Sequence, residues 1–90
     1  MKKNINEQVN QEYVNEYNAG EWDCFEYIEE QLNTAADAVN YIFGLMMTGS
    51  QKISGAYLKG WMQVIENEVN QNPSAEESVM VALAKNLEQF

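Results

Sequence analysis

Ninety residues are enough for one domain with a modest hydrophobic core. Fourteen acids against five lysines, with no arginine and no histidine, give a net charge of −9 at pH 7. That excludes nucleic-acid binding by counterion release, which needs basic side chains, and sets the chain against anionic membrane surfaces. Without histidine there is no Ser-His-Asp or Cys-His nucleophile, no ordinary zinc site and no Glu-x-x-His di-iron site. A lone Cys24 rules out an internal disulfide framework.

The chain reads as a single all-helical domain over residues 1–90: a bundle of about five helices around a buried central one. Residues 1–4 are expected to fray. Asn4, Asn6, Glu7 and Gln8 follow Met1-Lys2-Lys3 where a signal peptide would turn apolar, so a cytoplasmic location is expected. Ile5, Val9, Tyr13 and Tyr17 recur every four residues as one helical face, and Asn18-Ala19-Gly20 reads as its end. A second short helix is expected over Glu21 to Leu32, with Trp22, Phe25, Ile28 and Leu32 facing inward. Glu26 and Glu30 would repel each other across one turn of it. Cys24 reads as a small buried thiol, since nothing nearby would activate it.

Ala35 to Met47 carries one charge, Asp37, and is apolar nearly all round. Such a helix is buried, and at thirteen residues, about 20 Å, it is too short to span a bilayer. Thr34 and Asp37 form a weak capping signal, Thr48-Gly49 a stop, and Gly44 suggests a close helix contact. After Ser50, a possible cap, Ile53, Tyr57, Trp61, Val64 and Ile65 mark a long amphipathic helix ending near Asn70. Gly55 and Gly60 in it mean either a close approach by the buried helix or a kink. Asn72 or Ser74 caps a last helix, with Pro73 in its first turn and Ser74-x-x-Glu77 a full capping box; its stripe is Met80, Leu83, Leu87 and Phe90, flanked by Val79. That stripe implies a docked C-terminus. No internal repeat is evident.

Paired carboxylates, Glu26 with Glu29 or Glu30 and Glu76 with Glu77, are the only candidates for acid-base work, and they fall on polar faces. The chain has no EF-hand loop, P-loop or dinucleotide fingerprint. No enzymatic activity, metal or cofactor is expected. The remaining signal is the placement of acid. Glu7, Glu12, Glu16, Glu21, Asp23, Glu26, Glu29 and Glu30 crowd the first thirty residues. A solvated face is the plain reading of such a run. The sharper reading makes Glu12, Glu16, Glu21, Asp23, Glu26, Glu29 and Glu30 a partner-binding surface that imitates a nucleic-acid backbone. Tyr13, Tyr17, Trp22 and Tyr27 are candidate anchors there, with core packing expected for Tyr13 and Trp22.

Tyr17-Asn18-x-Gly20-x-Trp22 resembles, over six of the ninety residues, the Tyr-Asn-x-Gly…Trp segment of plasmid antirestriction proteins, with a shorter spacing to Trp22. Those proteins mimic DNA, are longer, and mix strand with helix. The whole profile is similar in type to small phage-encoded inhibitors. The expected function is therefore a small acidic inhibitor, of anti-CRISPR or antirestriction type, that blocks a basic nucleic-acid-binding site on a protein. It would contact neither nucleic acid nor membrane directly. The alternative is another interaction module, such as an immunity protein, antitoxin or adaptor, including one that pairs with itself as a homodimer.

Overall fold

A computed structural model describes residues 5–49 and 51–89, with side chains from Asn10 onward. The expectations for residues 1–4, for Ser50 and for the docking of Phe90 lie outside the described residues. The described residues form four α-helices: α1 (Ile5–Phe25), α2 (Ala35–Thr48), α3 (Gly55–Gln71) and α4 (Glu76–Leu87). A π-helical turn, Glu26–Glu30, extends α1, and a 3-10 turn, Pro73–Ala75, precedes α4. The described residues contain no strand. The fold is all-α as expected, with four main helices where five were expected.

The missing break is at Asn18-Ala19-Gly20, which lies inside α1. Gly20 serves packing rather than termination. A Cβ built there would lie 2.1 Å from the Tyr57 carbonyl oxygen, and one built on Gly60 would lie 2.0 Å from the Tyr17 carbonyl oxygen. The two helices therefore touch backbone to backbone. They run parallel, with Ser54 beside Glu16 and Val64 beside Phe25. Gly60 is thus a close approach, but to α1 rather than to α2. Gly55 is the first residue of α3, and Gly44 faces open space, contrary to the contact expected of it.

The contacts at the crossing repeat with a shift of 40 residues. Gly20 meets Tyr57 and Trp61; Gly60 meets Tyr17 and Glu21. In the same register Gln11, Glu26, Gln31, Ala35 and Val39 match Gln51, Glu66, Gln71, Ala75 and Val79. The crossing is thus approximately two-fold symmetric, and the chain carries a weak 40-residue repeat of a long and a short helix. Beyond the crossing the symmetry fails, because α2 packs on α3 through Trp61 with no comparable packing of α4 on α1 among the described residues.

α2 follows its local signals closely. Thr34 and Asp37 cap each other: the Asp37 N–H donates to Thr34 Oγ1 at 3.1 Å, and the Thr34 N–H donates to Asp37 Oδ2 at 3.0 Å. Gly49, at φ 65°, ends the helix in the left-handed region that glycine enters without strain. Only one side of α2 is buried, through Ala35, Ala38, Val39, Ile42 and Phe43, so it is not sheathed all round. Tyr41 and Met47 are exposed. Trp61 of α3 packs on the buried side, and its indole N–H donates to the Ala38 carbonyl at 3.0 Å. That bond satisfies the one polar atom of the largest fully buried side chain.

The capping box expected at Ser74 and Glu77 does not form. Ser74 instead donates to Asn72 Oδ1 at 2.6 Å, and α4 starts from Ala75 with no side-chain cap. The α4 stripe is also rotated from the one expected. Val79 and Ala82 are buried and Leu83 half-buried, while Met80 and Leu87 are exposed. Asn86 Nδ2 bridges to Asn40 Oδ1 at 2.7 Å, joining α4 to α2.

Candidate functional site

Because α1 is continuous, its residues keep one helical phase. At about 100° per residue, Glu12, Glu16, Asp23 and Glu26 fall within about 80° of arc. They form one row, about 21 Å long, down one edge of the α1/α3 pair. Glu12 and Glu16 line a cleft with Tyr13 and Ser54, and Ser54 Oγ donates a long bond of 3.4 Å to Glu16 Oε2. Ser54 is also the N-cap of α3, accepting from the Tyr57 N–H at 3.1 Å. The cap and the carboxylate row therefore meet at one side chain.

Further along, Asp23 and Glu26 open into a pocket of about 200 Å³ walled by Tyr27, Tyr41, Tyr57 and Trp61. The Tyr27 and Tyr41 rings stack 4.7 Å apart, and Tyr41 lies 5.6 Å from Trp61. Tyr57 donates its hydroxyl to Asp23 Oδ2 at 2.5 Å. Burial first, then this bond and the Asp23 charge, push the Tyr57 hydroxyl well above its usual range, so it stays protonated and orients the carboxylate. Burial likewise raises Tyr27, with a smaller push from Asp37. No lysine lines this pocket or the Glu12/Glu16 cleft. Two carboxylates beside stacked aromatic faces suit one cationic side chain: a guanidinium can pair bidentately with a carboxylate and lie flat on a ring. The volume is below the 300–1,000 Å³ usual for small-molecule sites.

The expected seven-carboxylate surface is split. Glu21 lies about 180° of arc from Glu12 on α1 and lines a different groove, with Trp22 and Phe25. Glu29 continues that second groove. Glu30 is exposed near the end of the π-turn, where bonds such as Gln31 N–H to Glu26 O (3.1 Å) run five residues back. That winding breaks the regular spacing of the Glu26/Glu30 pair. It also carries the chain out of helical phase, so of the expected inward stripe only Ile28 is buried. Trp22 is 61% exposed and Tyr13 45%, against the core packing expected of both. Cys24, facing α3, takes the inward place instead and is fully buried.

Among the described residues no group of three or more His, Cys, Asp or Glu is placed to hold a metal ion, and no helix is long and apolar enough to cross a membrane. Comparison with protein-family models, curated proteins and solved structures gives no match. The antirestriction-like segment at Tyr17–Trp22 lies mid-helix, where its glycine is occupied by the α1/α3 crossing.

Proposed function

We propose that this chain is a small protein-binding inhibitor that docks its Glu12–Glu16–Asp23–Glu26 edge onto a basic, nucleic-acid-binding surface of another protein. The observation that carries this reading is the alignment of those four carboxylates along one edge, ending at an aromatic-walled anionic pocket. The internal repeat adds weight. Its second unit has Lys52, Ala56 and Gln63 where the first has Glu12, Glu16 and Asp23, and keeps a glutamate, Glu66, only where the first has Glu26. The repeat therefore does not call for carboxylates at Glu12, Glu16 and Asp23, although Glu16 and Asp23 also accept hydrogen bonds from Ser54 and Tyr57 across the helix pair. Four charges over about 21 Å give one per roughly 7 Å, half the density of a single DNA strand. The edge matches the sign and direction of a phosphate backbone at lower density. Anchoring through the pocket, with an arginine of the partner against Asp23, Glu26 and Tyr41, compensates for the missing charge. This is the mode expected of an inhibitor of anti-CRISPR or antirestriction type that imitates a nucleic acid.

The test is capture on the immobilised chain from a bacterial lysate, with elution by stepped salt and by duplex DNA or RNA. Nucleic-acid-handling proteins released by both would support the reading. Partners indifferent to nucleic acid and retained at about 1 M salt, where the screening length is only ~3 Å, would contradict it.

A further inference from the structure

Turned away from the acidic row on α1, with Trp22 one turn from Glu26, Trp22 and Phe25 stack with ring centroids 6.0 Å apart and stand 61% and 47% exposed. Exposing two large rings side by side is costly, and neither contributes to the buried core. They form one wall of a groove whose other wall is Val64 on α3. Phe25 and Val64 also line the adjoining depression over Ile28, whose far side Asn67, Glu68 and Gln71 make polar, so the two run together as one trough with an apolar floor and a polar end. From Asn18 to Glu29 it extends eleven residues along α1 and its π-turn, about 16 Å, the length of three helical turns. Glu21, Glu29 and Glu68 edge it, and no lysine lines it.

We infer that this trough is a second docking site and that its occupant is a basic amphipathic helix of a partner protein. Charge complementarity selects that occupant. Three carboxylates around an apolar floor favour lysines or arginines flanking an apolar stripe, the pattern of helix-in-groove recognition by i, i+4 and i+7 anchors. A second copy of this chain would bring the same glutamates against each other, in a molecule already at −9. The trough uses none of Glu12, Glu16, Asp23 or Glu26, so it stands independently of the function proposed above.

Trp22 is the natural reporter, since Trp61, the other tryptophan, is buried. The probe is a fourteen-residue helical peptide with leucines at i, i+4 and i+7 and lysines on the flanks. The first comparison peptide replaces its leucines by serine, and the second replaces its lysines by glutamate. The leucine/lysine peptide is expected to blue-shift the Trp22 emission saturably. Both comparison peptides should bind at least tenfold more weakly. Trp22→Ala and the triple variant Glu21→Gln/Glu29→Gln/Glu68→Gln should each weaken binding at least fivefold, measured by calorimetry. Glu76→Gln/Glu88→Gln, at exposed positions outside both the trough and the acidic row, should leave it unchanged. Circular dichroism on each variant shows that the fold is intact, as expected for exposed Trp22 and Glu29 and for the isosteric changes at half-buried Glu21 and Glu68. Equal binding of the serine peptide would overturn the inference, because charge alone would then account for it. A blue shift that grows with protein concentration in the absence of peptide would also overturn it, in favour of self-association.

Discussion

Replacing Gly20 by alanine tests the packing that holds α1 to α3. The added methyl would sit 2.1 Å from the Tyr57 carbonyl oxygen and 2.9 Å from its carbon, where real contacts begin near 3.0 Å. The helices must move apart by about 1 Å, and since the obstacles are backbone atoms no side chain can rotate out of the way. Overpacking of this kind costs about 3 kcal/mol at the upper end of its usual range, and alanine's better helix propensity returns about 1. A net loss of about 2 kcal/mol lowers the melting temperature of a domain this size by roughly 8–16 °C. Gly60→Ala, 2.0 Å from the Tyr17 carbonyl, should behave alike. One separation of the axes admits both methyls, so the double variant should lose less than the two single losses combined, with a coupling on the order of 1 kcal/mol. Gly44→Ala, in open space within α2, should gain up to about 1 kcal/mol. Urea unfolding followed by circular dichroism measures all four. A Gly20→Ala protein as stable as the parent would refute the close crossing.

Cys24 should resist alkylation until the chain unfolds, because burial, with a smaller push from Glu68, drives its thiol up to about 12 from 9.0. Between those values the unfolded chain has lost a proton that the folded chain keeps, so stability should be flat below pH 9 and fall as pH rises to 12, with Tyr27 and Tyr57 adding the same sign from pH 10. Thermal melts at stepped alkaline pH check this. Leu32, 87% exposed at φ 56°, should gain about 0.5–1 kcal/mol on replacement by asparagine, which tolerates the left-handed region; a loss in urea titration would speak against the strain. Trp61→Phe should cost about 2–4 kcal/mol from the lost bond to the Ala38 carbonyl and the space left behind, read by the same titration.

What was legible in the sequence was local. Thr34, Asp37 and Gly49 act on backbone groups within a turn of themselves, so the bounds of α2 could be read within a residue or so. Gly20 and Gly60 act through each other across the fold, and in a single sequence Gly20 looks like a helix stop. That misreading hid the acidic row, because a break at Asn18–Gly20 removes the phase relation between Glu12/Glu16 and Asp23/Glu26. Aligning Tyr17-x-x-Gly20 with Tyr57-x-x-Gly60 was the signal that could have restored it. The exposure of Trp22 and Phe25 was hidden differently: their spacing to Ile28 and Leu32 was counted straight through a π-turn that changes the winding. At Ser74 a correct capping pattern lost to Asn72, whose side chain takes the hydroxyl.

The central claim is that one edge of α1, rather than net charge, engages the partner. Two charge-matched variants test it: Glu12, Glu16, Asp23 and Glu26 all changed to lysine, or Glu66, Glu76, Glu77 and Glu88 changed likewise. Both carry the same net charge. Each is measured for binding to the partner recovered by DNA-displaceable capture, at stepped salt. The account predicts that the first variant loses at least a hundredfold in affinity and most of its salt dependence, while the second stays within a few fold of the parent. Equal losses in both would mean that overall charge does the binding and that the edge has no special role.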